Sequence, residues 1–413
     1  MKIKNLFWIF ALNSCVYWLQ DFEGLPGLSL FKHFKEDLHW SPEKLMMISS
    51  LLALAWIPKI LWGFFVDNYF SKKMWIAITL VIDMLTVLFL GLWSLPLVVL
   101  LTLIFFNNTE SAIRDVTADA IMCIEGKRHN LTGKIQSCQW TSLTVCSIVT
   151  SLLGGYIADH YSYQIGFLLI IPFYLLCVIP LLMYKEVKPA TCEERCGNCE
   201  HNDACDLSKY NICSYYKEYK EKISFIEKLK PYKQLFTNKT FLWIGLFIFL
   251  YNFSPGFGVP LQYIERDQFK WSFQFMGILG AICSGASILG YLIYGKISEH
   301  INIKKWIIGS VFIGATTTLA YLYFTPVSAV VYGIIFSFVG AALQLIMLDF
   351  MARKTIKGLE ATTFACLCGI TNLGGMLSNF AGAGLLHVVG LKWLIIVSAI
   401  TSFACLAIVR KIK

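Results

Sequence analysis

The chain has 413 residues, of which 57% are hydrophobic and only 15% are charged. A soluble protein of this length would form two or three cores covered by polar surfaces. Here apolar runs of about 20 residues, the length that crosses a bilayer, recur along the chain. The net charge of +9 follows from the placement of basic residues between these runs and needs no nucleic-acid partner. The composition indicates an integral protein of a lipid bilayer.

Twelve apolar segments predict twelve transmembrane helices, which we call spans 1 to 12. The first segment runs into Gln20, Asp21 and Glu23 and has no small-residue cleavage site, so we interpret it as a retained span rather than a secretion signal. The predicted spans cover residues 6–30, 41–64, 74–93, 97–125, 133–158, 163–184, 239–263, 272–298, 304–324, 327–350, 360–388 and 391–409.

The basic residues predict the orientation of the chain. If both termini lie on the cytoplasmic side, 27 of the 35 lysines and arginines fall in the termini and loops of that side. Only six fall in loops on the opposite side, and Lys59 and Arg114 lie within spans. Positive charge near span ends sets orientation. We therefore expect both termini and the central loop in the cytoplasm, with the spans in the cell or inner membrane.

A repeat divides the chain into two halves. A glycine, an acidic residue four positions later and a pair of lysines follow both span 2 and span 8, at an offset of 232 residues. Parallel six-helix halves define the major facilitator plan, whose substrate site lies between the halves near mid-membrane. We predict an all-α membrane protein with twelve transmembrane helices: an N-terminal half at 1–185, a cytoplasmic Cys-rich loop at 186–236 and a C-terminal half at 237–413.

The repeated loop resembles the superfamily's signature loop. Its glycine would let helices approach closely, while its acid and lysines would hydrogen-bond neighbouring helix ends, so we expect the two acids to act in gating. The alternative is that these are solvated charges obeying the positive-inside rule, but that rule requires no matched glycine or acid. The matched residues are Gly63, Asp67, Lys72 and Lys73 in one half and Gly295, Glu299, Lys304 and Lys305 in the other.

Span 4 carries four ionisable residues where lipid would penalise each of them: Glu110, Arg114, Asp115 and Asp119. Charged groups inside a span are costly unless they face protein or a water-filled cavity. At about 100° per residue, the polar residues of this span cover roughly half of the helix circumference. Such a face cannot contact lipid, so we expect it to line a wet site.

In span 4, Asp115 and Asp119 stand in the run DVTADA. This run resembles the D-V-V-x-D-A of the folate–biopterin transporter family, and further motifs in both halves are similar to those of the same family. In span 11, residues 358–365 read GLEATTFA and are followed by Asn372, similar to G-x-E-A-T-x-F-A…N. Further similar places are Lys35-Glu36-Asp37-Leu38 with Ser41-Pro42, Trp56 and Lys59, Gln136-Ser137 with Trp140, Ser254-Pro255, and Gly374, Gly375 and Ser378.

The chain departs from the family pattern at a few positions. Asp21 stands where the family usually has glycine, and Arg114 where it commonly has a small or apolar residue. The prolines that usually bracket Trp-x-x-Lys are replaced by Ala55 and Ile60. These departures bear on the substrate more than on the fold, and Arg114 is the first place to look for a preference of this chain's own.

The resemblance implies an anionic pterin-like substrate, and polar residues of both halves are candidates to bind it. We predict these substrate-binding residues: Gln20, Glu23, Lys59, Glu110, Arg114, Asn252 and Asn372. Further hydrogen-bonding groups of the second half are Gln262, Gln344 and Asn379.

The two basic residues within spans allow two interpretations each. Lys59 could receive the carboxylate of a folate's glutamate tail, or it could pair with an acid such as Asp83 or Asp119. Arg114 could bind a carboxylate or a pterin edge with both arms of its guanidinium. Alternatively Glu110, one turn earlier, neutralises it, since Glu-then-Arg at i,i+4 is a favourable order.

Asp115 and Asp119 lie one turn apart on one edge of span 4. Close carboxylates repel each other, so at least one tends to hold a proton, as a proton-coupled carrier needs. The alternative is that they bond helix ends and basic partners on the cytoplasmic side. We assign ion coupling to Asp115 and favour the structural role for Asp119, with Asp67 and Glu299 as further gating candidates.

The central loop holds a cluster of cysteines on the predicted cytoplasmic side. Thiolates in a reducing compartment bind Zn²⁺ more readily than they form disulfides, although the spacing matches no standard zinc finger. The loop is therefore either a zinc site or a free-thiol linker. The candidate ligands are Cys192, Cys196, Cys199 and Cys205.

The sequence contains no nucleotide-binding loop, catalytic triad or helical metal motif, so we predict a transporter rather than an enzyme. The leading interpretation is a monomeric twelve-span carrier that imports an anionic pterin-like solute by alternating access, with protons. A related carrier of another conjugated metabolite, such as S-adenosylmethionine or a muropeptide, is the second. The third is a membrane receptor or scaffold whose central loop binds a partner, although a scaffold has no need of charges inside the spans.

Overall fold

The computed structural model describes residues 2–129, 131–186, 237–297, 303–353 and 360–409. All of the regular structure in these residues is helical. In chain order the helices are α1 (Lys2–Phe22), α2 (Gly27–Lys32), a π-helical turn (His33–Asp37), α3 (Pro42–Leu52), a 3₁₀ turn (Ala53–Trp56), α4 (Lys59–Asn68), α5 (Lys72–Leu92), α6 (Leu97–His129), α7 (Thr132–His160), α8 (Tyr163–Met183), α9 (Lys239–Asn252), α10 (Gly258–Asp267), α11 (Phe273–Ile297), α12 (Ile303–Ala320), α13 (Pro326–Arg353), α14 (Glu360–Ala404) and α15 (Leu406–Val409).

The described helices account for the twelve predicted spans. Eight helices or joined helices are long and apolar enough to cross a membrane, and Lys239–Asn252 and Lys305–Ala320 are shorter apolar helices. The last long segment, Thr363–Ile408, is two crossings, because Gly390 takes φ 74° and breaks the helix there. Helix α1, with 21 residues, completes the set. Glycine suits a positive φ because it has no Cβ.

Three of the predicted spans are interrupted helices. Span 1 ends its first helix at Phe22, and a turn through Pro26 leads into α2, as the polar residues with glycine and proline there predict. Span 2 breaks between α3 and α4, with Pro58 at the start of α4. Span 7 breaks between α9 and α10, around Pro255. Proline lacks the N–H that a continuing helix needs, so each of the predicted spans 41–64 and 239–263 consists of two helices.

The lysines of the first signature loop bond helix ends, as predicted. Lys72 Nζ donates to the Val66 carbonyl at 2.8 Å, and Lys73 Nζ donates to the carbonyls of Leu182 and Tyr184 at 3.0 and 2.9 Å. These bonds join the ends of spans 2, 3 and 6. Asp67 lies in α4, but its side chain is outside the described part, and Glu299 also falls outside the described residues.

The two halves contact each other where α7 crosses α11. A Cβ added to Gly155 would lie 2.6 Å from the Phe273 carbonyl oxygen and 2.9 Å from the Gly277 Cα. Only glycine permits this distance between the backbones. Asp159, one turn after Gly155, caps α11 by accepting from the backbone N–H groups of Phe273 and Gln274 at 3.1 and 2.7 Å.

The halves are also joined at one membrane face, which we call the far face and which holds the segment after α2 and the helix α10. There the segment after α2 meets α10. Arg266 Nε donates to Glu36 at 2.6 Å, Tyr263 donates its hydroxyl to the Trp40 carbonyl at 2.5 Å, and Lys35 pairs with Asp267. Together with the Asp159 cap, these contacts close the halves against each other at the far face.

Replacing Gly277 by valine should destabilise the protein, because the new side chain meets the backbone of α7. Overpacking of this kind costs about 1–3 kcal/mol, so the purified variant should melt at a lower temperature in detergent. Gly285→Val is the matched control in the same helix, since a Cβ at Gly285 meets nothing within 4 Å. Equal melting temperatures for the two variants would contradict the crossing described here.

Candidate functional site

Arg114 is the largest fully buried side chain of the described protein. Its guanidinium donates to Asp83 of α5, with Nη1 2.7 Å from Oδ2, and to Glu23, just after α1. All three side chains are almost completely buried. One cation is thus held between two carboxylates, and spans 1, 3 and 4 are tied together by charge.

Neutral groups complete this network. The Tyr174 hydroxyl of α8 donates to Glu23 at 3.0 Å, and its ring centre lies 5.9 Å from the Arg114 guanidinium carbon. The side-chain amide of Asn107 donates to Asp83. Asp83 and Tyr174 were not among the predicted site residues. Asp83 could have been found, because an acid inside an otherwise apolar span marks a functional or structural site by default.

Arg114 forms its ion pairs with Glu23 and Asp83 and not with Glu110, the partner that one of its two interpretations named. The guanidinium turns towards α1 and α5, although Glu110 lies one turn away on the same helix. The Glu110 Oε2 atom is buried without a hydrogen-bond partner. The charged groups that interact electrostatically with the Glu110 carboxyl group are Asp83 and Arg114. The i,i+4 rule predicts which side chains are neighbours on one helix, but here partners on other helices give Arg114 better geometry.

Lys59 pairs with an acid, as one of its two interpretations held, but that acid is Asp115 and not Asp83 or Asp119, which were named as examples. Its Nζ lies 2.5 Å from Asp115 Oδ2, and the two side chains are only 13% and 5% exposed. The ammonium also lies 5.0 Å from the ring centre of Trp56. Lys59 is the first residue of α4, so the helix break at Pro58 places it beside span 4.

Asp119 is bonded to a hydroxyl rather than to a basic side chain or a helix end. Tyr17 of α1 donates to its Oδ1 at 2.8 Å. The carboxylates one turn apart on α6 therefore have different partners: Asp115 has a cation and Asp119 has a neutral donor. The structural alternative for Asp119 holds only in the sense that it joins span 4 to span 1.

The Lys59–Asp115 pair lies where the halves meet. Asn372 of α14 donates its amide to the Trp56 carbonyl at 2.9 Å. A Cβ on Gly369 would lie 2.8 Å from the Ile57 carbonyl oxygen. Cys368, the residue before Gly369, lies close enough to Lys59 to interact with it electrostatically. Span 11 of the second half thus covers the break in span 2.

Two other predicted binding residues, Asn252 and Gln20, lie apart from these ion pairs. Asn252 donates its amide to the Ile248 carbonyl at 2.8 Å, within its own helix. Gln20 keeps a buried side-chain oxygen with no hydrogen-bond partner. Neither is joined to the Arg114 network or to the Lys59–Asp115 pair by the described hydrogen bonds.

A cavity of about 570 Å³ lies between the halves, lined by spans 1 and 5 on one side and by α10, α11 and the ends of α12 and α13 on the other. None of the seven predicted substrate-binding residues lines it. Asp21 does, and so does Gln262, one of the further hydrogen-bonding groups noted in the sequence. Ser147 and Thr150 of α7 donate to the two Asp21 oxygens at 3.0 and 3.1 Å.

The predicted zinc ligands Cys192, Cys196, Cys199 and Cys205 lie outside the described residues. Within the described ranges no group of three or more His, Cys, Asp or Glu residues could hold a metal ion.

Twelve spans in two joined halves, with charged residues buried between the helices, define a membrane transporter of the major facilitator fold. Solved structures of that kind superpose on nearly the whole chain. The D-xylose-proton symporter does so with a TM-score of 0.70 at 13% identity, covering 98% of this chain and 97% of its own. The nucleoside transporter NupG has a TM-score of 0.66 at 15% identity, covering 100% of this chain and 98% of its own.

The chain belongs to the BT1 family, whose model matches residues 20–412. Among its relatives are the folate-biopterin transporter of Synechocystis sp., 23% identical over 93% of this chain and 76% of that protein, and the probable folate-biopterin transporter 4 of Arabidopsis thaliana, 23% identical over 93% and 89%. Folate transporter 1 of Plasmodium falciparum is 22% identical over 89% and 70%. The resemblance read from the motifs is thereby confirmed, and the protein is an integral multi-pass transporter of small molecules rather than an enzyme.

Replacing Arg114 by methionine should strongly destabilise the protein, because two buried carboxylates lose their cation. Breaking a buried ion pair in this way costs about 3–5 kcal/mol, measurable as a lower melting temperature of the purified protein. A neutral variant that combines Arg114→Met with Glu23→Gln and Asp83→Asn should melt higher than the single variant. If the single variant melts like the wild type, the charge network does not hold these spans together.

Proposed function

We propose that this transporter moves folate- or pterin-like anionic solutes by alternating access, with protons as the coupling ion. The names of the curated relatives support the substrate class. A carrier without an ATP-binding motif must draw on an ion or substrate gradient. Paired charges inside the spans support proton coupling, because an acid of such a pair can take up a proton. The proposal takes the protein as a monomer with both termini in the cytoplasm, so the far face is the outer one and the described state is closed to the outside.

The observation that carries the proposal is the Lys59–Asp115 pair at the junction of the halves. Lys59 has the charge that a substrate carboxylate requires, but Asp115 already neutralises it. A proton that binds Asp115 removes that negative charge and leaves Lys59 to the substrate. A substrate anion and a proton then enter together, and neither leaves an unpaired charge in the low-dielectric interior.

The remaining predicted binding residues have supporting roles in this proposal. Asn372 holds the break in span 2 that positions Lys59. The unpartnered oxygens of Gln20 and Glu110 are acceptors for substrate N–H groups or protons, and Asn252 is a further polar contact from the second half. Arg114 and Glu23 hold the first half rigid around them. Asp119 lies one helical turn from the Lys59–Asp115 pair and supports it. Asp67 and Glu299 act as gates on the cytoplasmic face.

The central-loop zinc site also remains a proposal. Thiolate ligands on the reducing side favour Zn²⁺, with Cys192, Cys196, Cys199 and Cys205 as its ligands. Zinc and iron analysis of the purified full-length protein tests it.

Competitive uptake tests the substrate class. We expect folate and biopterin to compete with labelled folate for uptake into proteoliposomes, more strongly at acidic than at neutral pH outside. S-adenosylmethionine should compete much more weakly. If it alone competes, the protein carries another conjugated metabolite. If none of the three binds, the pterin-like substrate class is wrong while the fold stands.

Variants of the central pair test the mechanism. Lys59→Ala should reduce folate affinity by roughly tenfold or more, the effect of losing one charge-assisted hydrogen bond, and Lys59→Arg should retain part of it. Asp115→Asn mimics the protonated state, so folate binding should persist while the pH dependence of uptake is lost.

Lys44→Ala is the control for these variants, because Lys44 lies in the same span over the Trp40 ring and not at the pair. Uptake by Asp115→Asn with unchanged pH dependence would rule out Asp115 as the coupling residue.

A further inference from the structure

The cavity between the halves is acidic and lacks basic residues. Asp21 and Glu265 line it, and no lysine or arginine is among its described lining residues. Its volume of about 570 Å³ lies within the range of small-molecule sites. A substrate carboxylate would be repelled here, so a ligand of this cavity must offer N–H or positively charged groups.

The Asp21 carboxylate is held ready to accept such groups. Ser147 donates to one oxygen and Thr150 to the other, and these two bonds to α7 fix the plane of the carboxylate. The two oxygens have about four acceptor sites between them, more than Ser147, Thr150 and the nearby Cys146 thiol fill, so acceptor capacity remains for a ligand. Two acceptors side by side match a ligand with two parallel N–H donors, the arrangement that makes bidentate pairing strong.

The same cavity has aromatic walls. Phe31, Tyr321 and Phe324 line it, and Tyr321 and Phe324 lie against each other with ring centres 5.9 Å apart. Aromatic faces favour flat rings by stacking. An acidic acceptor with aromatic walls could also hold a quaternary ammonium ion. That ion has no N–H donors, however, and would leave the oriented Asp21 acceptors unused.

We propose that this cavity binds the amino-amidine edge of a flat heterocycle, with Asp21 as the residue that selects it. A pterin ring presents this edge, because its exocyclic amino group stands next to a ring N–H. The inference rests on the proposed transport function, and it assigns the ring edge of the substrate to Asp21.

Glu265 is the second acceptor of the cavity. It lies on α10, in the half of the molecule opposite Asp21, so a ring bound at Asp21 spans from one half to the other. A ligand that contacts both halves binds differently in each state of an alternating-access carrier, and this difference is what allows a ligand to shift such an equilibrium.

Two probe molecules test the proposal with purified full-length protein in nanodiscs, by quenching of tryptophan fluorescence. Methylpterin has the donor pair and no carboxylate, and methyllumazine has a carbonyl oxygen in place of the exocyclic amino group. We expect the wild type to bind methylpterin at least roughly tenfold more tightly than methyllumazine. Asp21→Asn offers one donor and one acceptor instead of two acceptors, so it should reverse or abolish this preference.

The controls separate this proposal from the transport proposal. Lys44→Ala should bind methylpterin as the wild type does, because Lys44 lies over the Trp40 ring and belongs neither to the cavity lining nor to the Lys59–Asp115 pair. Glu265→Gln should weaken both probes without changing their ratio. The ratio is insensitive to a partly unfolded sample, so misfolding of Asp21→Asn cannot imitate the expected result.

An unchanged ratio in Asp21→Asn, or displacement of methylpterin by tetramethylammonium with a higher affinity than its own, would overturn the assignment. Folate uptake that persists alongside an unchanged ratio refutes this inference alone. Loss of all pterin and folate binding by the wild type refutes the transport proposal as well.

Discussion

A charge inside the bilayer must find its countercharge within the protein, and Arg114 shows how much of the first half follows from this requirement. Its guanidinium is fully buried, so spans 1 and 3 each bring a carboxylate to it, and span 6 brings the Tyr174 hydroxyl. Helices in lipid have little hydrophobic reason to associate. Buried pairs of this kind therefore fix which helices are neighbours in the N-terminal half.

The interrupted helices solve a second problem, which is how to bring polar groups to the centre without exposing backbone to lipid. Broken helices are tolerated at membrane depth where protein or a cavity covers them. Span 11 covers the break in span 2 through Asn372 and Gly369, which lie against Trp56 and Ile57. The break that begins α4 also turns Lys59 towards Asp115, so one proline serves both the contact between halves and the ion pair.

The architecture could be predicted from the sequence, whereas most partners of the buried charged side chains could not. Span length predicted the twelve crossings and the repeated loop predicted the two halves, because both can be recognised in the local sequence alone. Lys72 and Lys73 bond helix ends as expected, since their position after a span leaves few other partners. The partners of Arg114 and Lys59 depend on which helices become neighbours and how each is rotated, and one sequence does not contain that information. Asp159 shows the same limit, because its local sequence does not indicate that it caps a helix of the other half.

Two separate places between the halves differ in charge. The junction at span 2 holds a cation that an acid neutralises, whereas the cavity is lined by Asp21 and Glu265 with no lysine or arginine among its described lining residues. A purely anionic solute would use only the first, and an organic cation only the second. A molecule with a carboxylate tail and an N–H-rich ring matches the chemistry of both, and conjugated pterins are of this kind. The departure of Asp21 from the family pattern then has a physical meaning, because glycine at that position would leave the cavity without its oriented acceptor. In the proposed assignment Asp21, and not Arg114, determines the specificity of the chain. The Arg114 guanidinium is already hydrogen-bonded to Glu23 and Asp83.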